Sequence, residues 1–181
     1  VLCSDGSSTN QGGSFGFVAA TTTGKRLVKG HGPAPGSVAN SFRSEAYGVL
    51  AAMRWLYRIT LHEDRQPGSS IVHYLDNRAV IARIEHTMKR RYVIPNWKLK
   101  PDQDVIDEIV HTLQLLPVPI EFKWVKGHQD STGSRSTLSL EAQLNCEADS
   151  EASRHPPQSN HQWKVTSLSQ TRCQFILQQR T

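Results

Sequence analysis

Cysteine is scarce in this chain and nowhere paired. Cys3, Cys146 and Cys173 stand far apart, with no C-x-x-C among them. A disulfide framework is therefore not expected, and an intracellular setting, cytoplasmic or nuclear, is. No stretch approaches the roughly 18 apolar residues that a spanning helix requires, so no membrane partner is expected. No charged-then-apolar leader opens the chain, and its first residue is Val1 rather than Met. We therefore expect a piece of a longer polypeptide, or a processed one. A phosphate-binding G-x-x-x-x-G-K-S/T run is missing too, so Gly12-Gly13 and Gly16 are expected to form a hairpin loop. His155, His161 and Cys173 match no common zinc spacing.

Acid is missing from the carboxyl end. Arg154 to Thr181 contains Arg154, Lys164, Arg172 and Arg180 and neither Asp nor Glu. The 181-residue chain has 21 Lys+Arg against 16 Asp+Glu; with four of the basic residues in this tail, residues 1–153 keep 17 against 16. The overall excess of +5 is thus mostly a property of the tail and says little by itself about nucleic acid. The length suits one α/β domain, expected over residues 1–153, with 154–181 a basic tail, linker or small appended hairpin.

What is present has a clear order. Val1 to Asp5, Gly16 to Thr22 and Lys25 to His31 read as strands, the last two joined by a Thr23-Gly24 turn. Ala46, Val49, Leu50, Met53 and Tyr57 recur at helical spacing within a helix expected over 45–61. Ile71 to Leu75 reads as a strand, and Val80, Ile81 and Ile84 mark a short helix. Pro101-Asp102 starts another helix through Leu116, IEFKWV at 120–125 alternates as a strand, and a helix from Leu140 reaches Ala152. Gly127 to Ser139 reads as a polar loop, and the tail has weak strand signals at 162–165 and 173–177. The resulting β-β-β-α-β-α-α-β-α order predicts an α/β fold with a mixed five-stranded sheet and helices on both faces.

Four acids fall at the ends or starts of these elements. Asp5 ends the first strand, Asp76 ends the fourth, Glu45 opens the first long helix and Asp149 lies in the last. Singly, each is an ordinary turn or surface residue. Together they are different. In a 3-2-1-4 sheet Asp5 and Asp76 become neighbours at the carboxyl edge, where open α/β sheets place ligand sites. Adjacent carboxylates repel, and a divalent cation relieves that cost; oxygen-only donors suit Mg²⁺ or Mn²⁺ rather than zinc.

Asp5-Gly-Ser after a strand, Arg43-x-Glu45 at a helix start, Leu75-Asp-Asn77 at a strand end, Val125-Lys-Gly-His128 and Asn145-x-x-Ala148-Asp149 occur in this order. This series resembles the type I ribonuclease H family over about residues 1–153. Ser44-Glu-Ala-Tyr-Gly48 and the 138–145 wording are most similar to the ribonuclease H domains of retrotransposon reverse transcriptases. The resemblance implies a ribonuclease H-like fold, with sheet order 3-2-1-4-5, and hydrolysis of the RNA strand of an RNA/DNA hybrid, leaving 5′-phosphate and 3′-hydroxyl ends. It implies two Mg²⁺ ions, for which Mn²⁺ can substitute, held by Asp5, Glu45, Asp76 and Asp149, with Asp5 bridging both. Asp149 would serve the ion that activates water, and Glu45 and Asp76 the one facing the leaving oxygen. His128 would assist proton movement and product release, although it stands 21 positions before Asp149, farther than in compact family members.

Substrate contacts implied are Gly6, Ser7, Asn10, Arg43, Asn77 and Asn145, some reading the 2′-hydroxyl. Lys89, Arg90, Arg91, Lys98 and Lys100, interleaved with Tyr92 and Trp97, occupy the place of the family's substrate-gripping protrusion. A reverse-transcriptase domain in the same polypeptide is the implied protein partner. Two other readings stand beside this one: a catalytically silent, connection-type hybrid-binding domain, and a DNA nuclease or strand transferase of the same fold. The second is disfavoured because its glutamate usually comes late in the chain.

Overall fold

The computed structural model describes residues 1–36, 40–62, 70–90, 100–132 and 137–154. Strands β1 (Leu2–Thr9), β2 (Gly12–Ala20) and β3 (Arg26–Ala34) form an antiparallel meander. Helix α1 (Ser41–His62) leads to β4 (Ile71–Leu75), followed by α2 (Arg78–Met88), α3 (Gln103–Leu115), β5 (Ile120–Trp124) and α4 (Leu140–Ser153). The sheet order is β3-β2-β1-β4-β5, with β4 parallel to both of its neighbours. This is the expected topology. A 3₁₀ turn, Gln129–Thr132, lies in the loop between β5 and α4.

The meander departs from expectation in its lengths. β1 does not stop at Asp5 but continues to Thr9, and Gly12, Gly13 and Gly16 belong to β2 rather than to a loop. The turn is Asn10–Gln11, where the Gln11 N–H donates to Thr9 Oγ1 at 3.2 Å. Paired backbones from Gly6↔Phe15 to Thr9↔Gly12 supply the hydrogen bonds, so strand continues where the side chains show no apolar alternation. Gly16 has a packing reason: a Cβ there would meet the Ala148 carbonyl of α4. Helix α1 likewise begins before Glu45, because Asn40 Oδ1 accepts the Arg43 N–H at 2.7 Å and caps its first turn.

Alternation along β2 divides the interior between two faces. Phe17 and Ala19 join Leu50, Met53, Ile84, Ile106 and Ile109 between the sheet and α1, α2 and α3. Val18 and Ala20 join Cys3, Leu144 and Ala148 beneath α4. Each large side chain enclosed this way stabilises the fold by roughly 1.5–3 kcal/mol relative to exposure. Among the described residues no helix is long and apolar enough to cross a membrane. The 154–181 tail lies, from residue 155 onward, outside the described residues, as do its weak strand signals.

Candidate metal centre

Cys3↔Tyr74 is the last pair between β1 and β4, and Asp5 and Asp76 each lie two residues beyond it. The sheet opens there: β1 stays with β2 while β4 ends at Leu75. Parallel neighbours thus carry both aspartates to one carboxyl edge. Helix α1 brings the third acid, Glu45. Its approach depends on Gly6, where a Cβ would run into the Glu45 main-chain nitrogen. One oxygen from each of Asp5, Glu45 and Asp76 lies within 4.8 Å of the others.

Burial makes this cluster electrostatically uncomfortable. Asp5 is 4% and Glu45 6% exposed, while Asp76 is half-buried. Loss of water, and then the charge of Asp76, push the Asp5 carboxyl up to about 7. Burial followed by the charges of Asp5 and Asp76 pushes Glu45 up to about 11. Asp76 is also raised, chiefly by burial. The Gly6 N–H, 2.6 Å from Asp5 Oδ1, offsets only part of this. Glu45 Oε2 is fully enclosed with no hydrogen-bond partner among the described residues. A buried, unpartnered carboxylate oxygen facing two other carboxylates fits a hard divalent cation.

Asp149, on α4, is not in the triad. It lies at the rim, 40% exposed, close enough for its charge to raise both Asp5 and Asp76. His128 stands beside it, Nδ1 to Asp149 Oδ2 3.9 Å, with its backbone in the left-handed region at φ 51° and its ring 77% exposed. Just before it, Gly127 admits the Asp76 carboxylate into space that any Cβ would fill.

The expected substrate residues divide. Gly6 and Ser7 are half-exposed on β1 and Asn10 is exposed at the hairpin turn. Asn77 caps α2, its Oδ1 accepting from Ala79 and Val80 N–H at 3.1 and 3.2 Å. Arg43 is engaged within the fold. It is 7% exposed, donates to the Pro35 carbonyl, to Asp102 (3.2 Å) and to both oxygens of Asp104 (2.9 and 2.8 Å), and lies over Tyr47. A guanidinium so engaged has little left for substrate. Asn145 is likewise interior, 1% exposed and beside the Cys3 thiol.

Lys89 and Arg90 lie at the far end of α2 from Asp76; that 11-residue helix is about 16 Å long. Lys100 is exposed just before α3, and Arg91, Tyr92, Trp97 and Lys98 lie outside the described residues. Two residues that the motifs did not single out adjoin the cluster. Trp124 donates its indole N–H to the Asp76 carbonyl at 3.0 Å, and Arg78 stacks over its ring at 3.9 Å. Their sequence signal was slight: an aromatic closing a strand and a cation opening a helix.

No family model and no curated protein matches the chain. Solved structures do. The ribonuclease H1 of the halophilic archaeon Halobacterium salinarum NRC-1 aligns with a TM-score of 0.56 at 14% identity, over 84% of this chain and 93% of that one. LC11-RNase H1, solved in complex with an RNA/DNA hybrid, aligns at 0.56 and 11% identity, over 85% and 94%. The protease-reverse transcriptase of prototype foamy virus aligns at 0.59 and 21% identity, over 84% of this chain and 20% of that much longer one. The chain has the ribonuclease H fold.

Proposed function

We propose that this domain is a metal-dependent endonuclease that hydrolyses the RNA strand of RNA/DNA hybrids. The observation that carries the reading is the convergence of Asp5, Glu45 and Asp76 within 4.8 Å at the sheet edge, with a Glu45 oxygen enclosed and unpartnered. Asp5, Glu45, Asp76 and Asp149 would hold two Mg²⁺ ions, and Mn²⁺ in their place. When bound, such ions lower the pKa of the attacking water and neutralise charge on the leaving 3′ oxygen.

The chain's own residues do the rest. Asp5 adjoins Glu45 and Asp76, and the charge of Asp149 reaches it. His128, exposed and adjacent to Asp149, is placed to move a proton to or from the departing product. Gly6, Ser7, Asn10 and Asn77 are our candidates for 2′-hydroxyl contacts. Lys89, Arg90, Arg91, Trp97 and Lys98 are our candidates for phosphate contacts on the paired DNA strand.

The hybrid carried by LC11-RNase H1 on the same fold supports the choice of substrate. The foamy virus likeness supports a setting within a retroelement reverse transcriptase, where the polymerase domain would be the partner in the same polypeptide. The deciding experiment offers a labelled hybrid with Mg²⁺ to the wild type and to Asp76→Asn. Cleavage only by wild type, leaving 5′-phosphate ends, supports the proposal. Binding without cleavage by both would replace it with the silent, connection-type reading, and preferential cutting of duplex DNA with a DNA nuclease.

A further inference from the structure

Asp76 sits just past the end of β4, where regular pairing with β5 has stopped. Its neighbour Leu75 still has a main-chain partner, since the Val125 N–H donates to the Leu75 carbonyl at 2.8 Å. The next carbonyl, that of Asp76, receives a side-chain donor: the indole N–H of Trp124, at 3.0 Å. Trp124 is thus an extension of the ladder built from a side chain. It acts on the peptide that sets the direction of the Asp76 carboxylate.

The ring is 44% exposed, so core packing does not hold it. Arg78 does, its guanidinium carbon 3.9 Å from the ring centroid. Arg78 is the first residue of α2, a helix capped by Asn77 immediately after Asp76. Strand β5 and helix α2 therefore grip Asp76 from either side through one stacked pair. Mg²⁺ tolerates little departure from octahedral geometry, and residues that orient its ligands affect affinity accordingly. We propose that Trp124 is a positioning residue for Asp76, aligning its carboxylate for the cation through the indole N–H, with Arg78 holding the indole in place. The inference rests on reading the three carboxylates as a cation site.

Trp124→Phe keeps an aromatic ring for Arg78 and removes only the N–H. Titration calorimetry with Mn²⁺ should show it binding about 5- to 10-fold more weakly than wild type, with a thermal midpoint within ~2 °C. Arg78→Gln should weaken binding by a smaller factor, about 2- to 3-fold, because the N–H remains. Equal Mn²⁺ affinity in wild type and Trp124→Phe overturns the proposal while leaving the cation site standing. A wild type that binds no Mn²⁺ removes both. A measurement on the wild type alone guards against a variant that fails to fold: the Trp124 indole N–H resonance should shift with added Mg²⁺ and saturate together with the Asp76 amide. A resonance that stays still while the Asp76 amide moves overturns the proposal.

Discussion

His128 Nδ1 lies 3.9 Å from Asp149 Oδ2, although the two residues are joined by a long polar loop. The backbone at His128 is in the left-handed region, and the length of the loop does not keep the ring from Asp149. The pair forms the open side of a site whose other side, Asp5 and Glu45, is closed to water.

His128→Ala should therefore separate turnover from assembly. The imidazole is 77% exposed, so its removal should change stability by no more than about 0.5 kcal/mol. Hybrid cleavage should fall about 100-fold, with Mn²⁺ affinity unchanged. Single-turnover kinetics beside a calorimetric titration would check this, and equal cleavage rates would take His128 out of the reaction.

The raised carboxyls make a statement about stability. Asp5 titrates at about 7 in the fold against an ordinary 3.8, so without metal it contributes stability below pH 4 that is lost as pH rises through 7. His73 works the other way. Buried, and bonded through Nε2 to Ser4 Oγ at 2.9 Å, it is lowered to about 3, and stability falls as pH drops below 6.5. Comparing wild type with Asp5→Asn cancels the histidine. In chelator, the variant should be more stable at pH 8 by on the order of 3 kcal/mol, an advantage that shrinks toward pH 4. Urea midpoints across that range are the measurement; a variant no more stable than wild type at pH 8 contradicts the cause assigned here. Added Mg²⁺ should restore the wild type and not the variant.

Gly127→Ala tests whether the backbone must make room for a ligand. A Cβ at this position collides with the Asp76 carboxylate. Displacement of a reacting-site group by about 1 Å typically costs about 100-fold in rate, and cation affinity should fall with it. A Gly127→Ala protein that cleaves hybrid at the wild-type rate would show that Asp76 has other places to go.

Arg43→Ala should act on the fold first. It would leave Asp102 and Asp104 without their buried partner and untie the start of α3 from the first turn of α1, at a cost of about 3 kcal/mol. Arg43→Lys should recover only part of this, because an ammonium cannot reproduce the two-oxygen grip on Asp104. Chemical denaturation decides; a loss under about 1 kcal/mol would return Arg43 to the list of substrate contacts.

Much of this arrangement can be read from the residues in order. Asp5 and Asp76 follow apolar strand runs, and a helical stripe through Ala46, Val49, Leu50 and Met53 places α1 on the sheet with Glu45 near its start. Pattern fails where backbone rather than side chains carries the structure. Gly12 and Gly13 have no alternation to betray a strand, and only the ladder with β1 reveals one. It fails again where a residue's partner is remote. Nothing around Arg43 announces Asp102 and Asp104, and nothing around Trp124 announces the Asp76 carbonyl.

The amino-acid order by itself determined the element sequence and placed four acids at or near strand ends and in helices, because strand ends and helix starts are local properties of period and punctuation. Only the tertiary structure decided which of those acids share one enclosed space and which stands at the rim. It also turned Arg43 and Asn145 inward and set Trp124 against Asp76. The physical reason is distance: carboxylates on β1, β4 and α1 interact only once the sheet pairs and α1 closes over Gly6, and the desolvation that raises Asp5 and Glu45 exists only in that closed state.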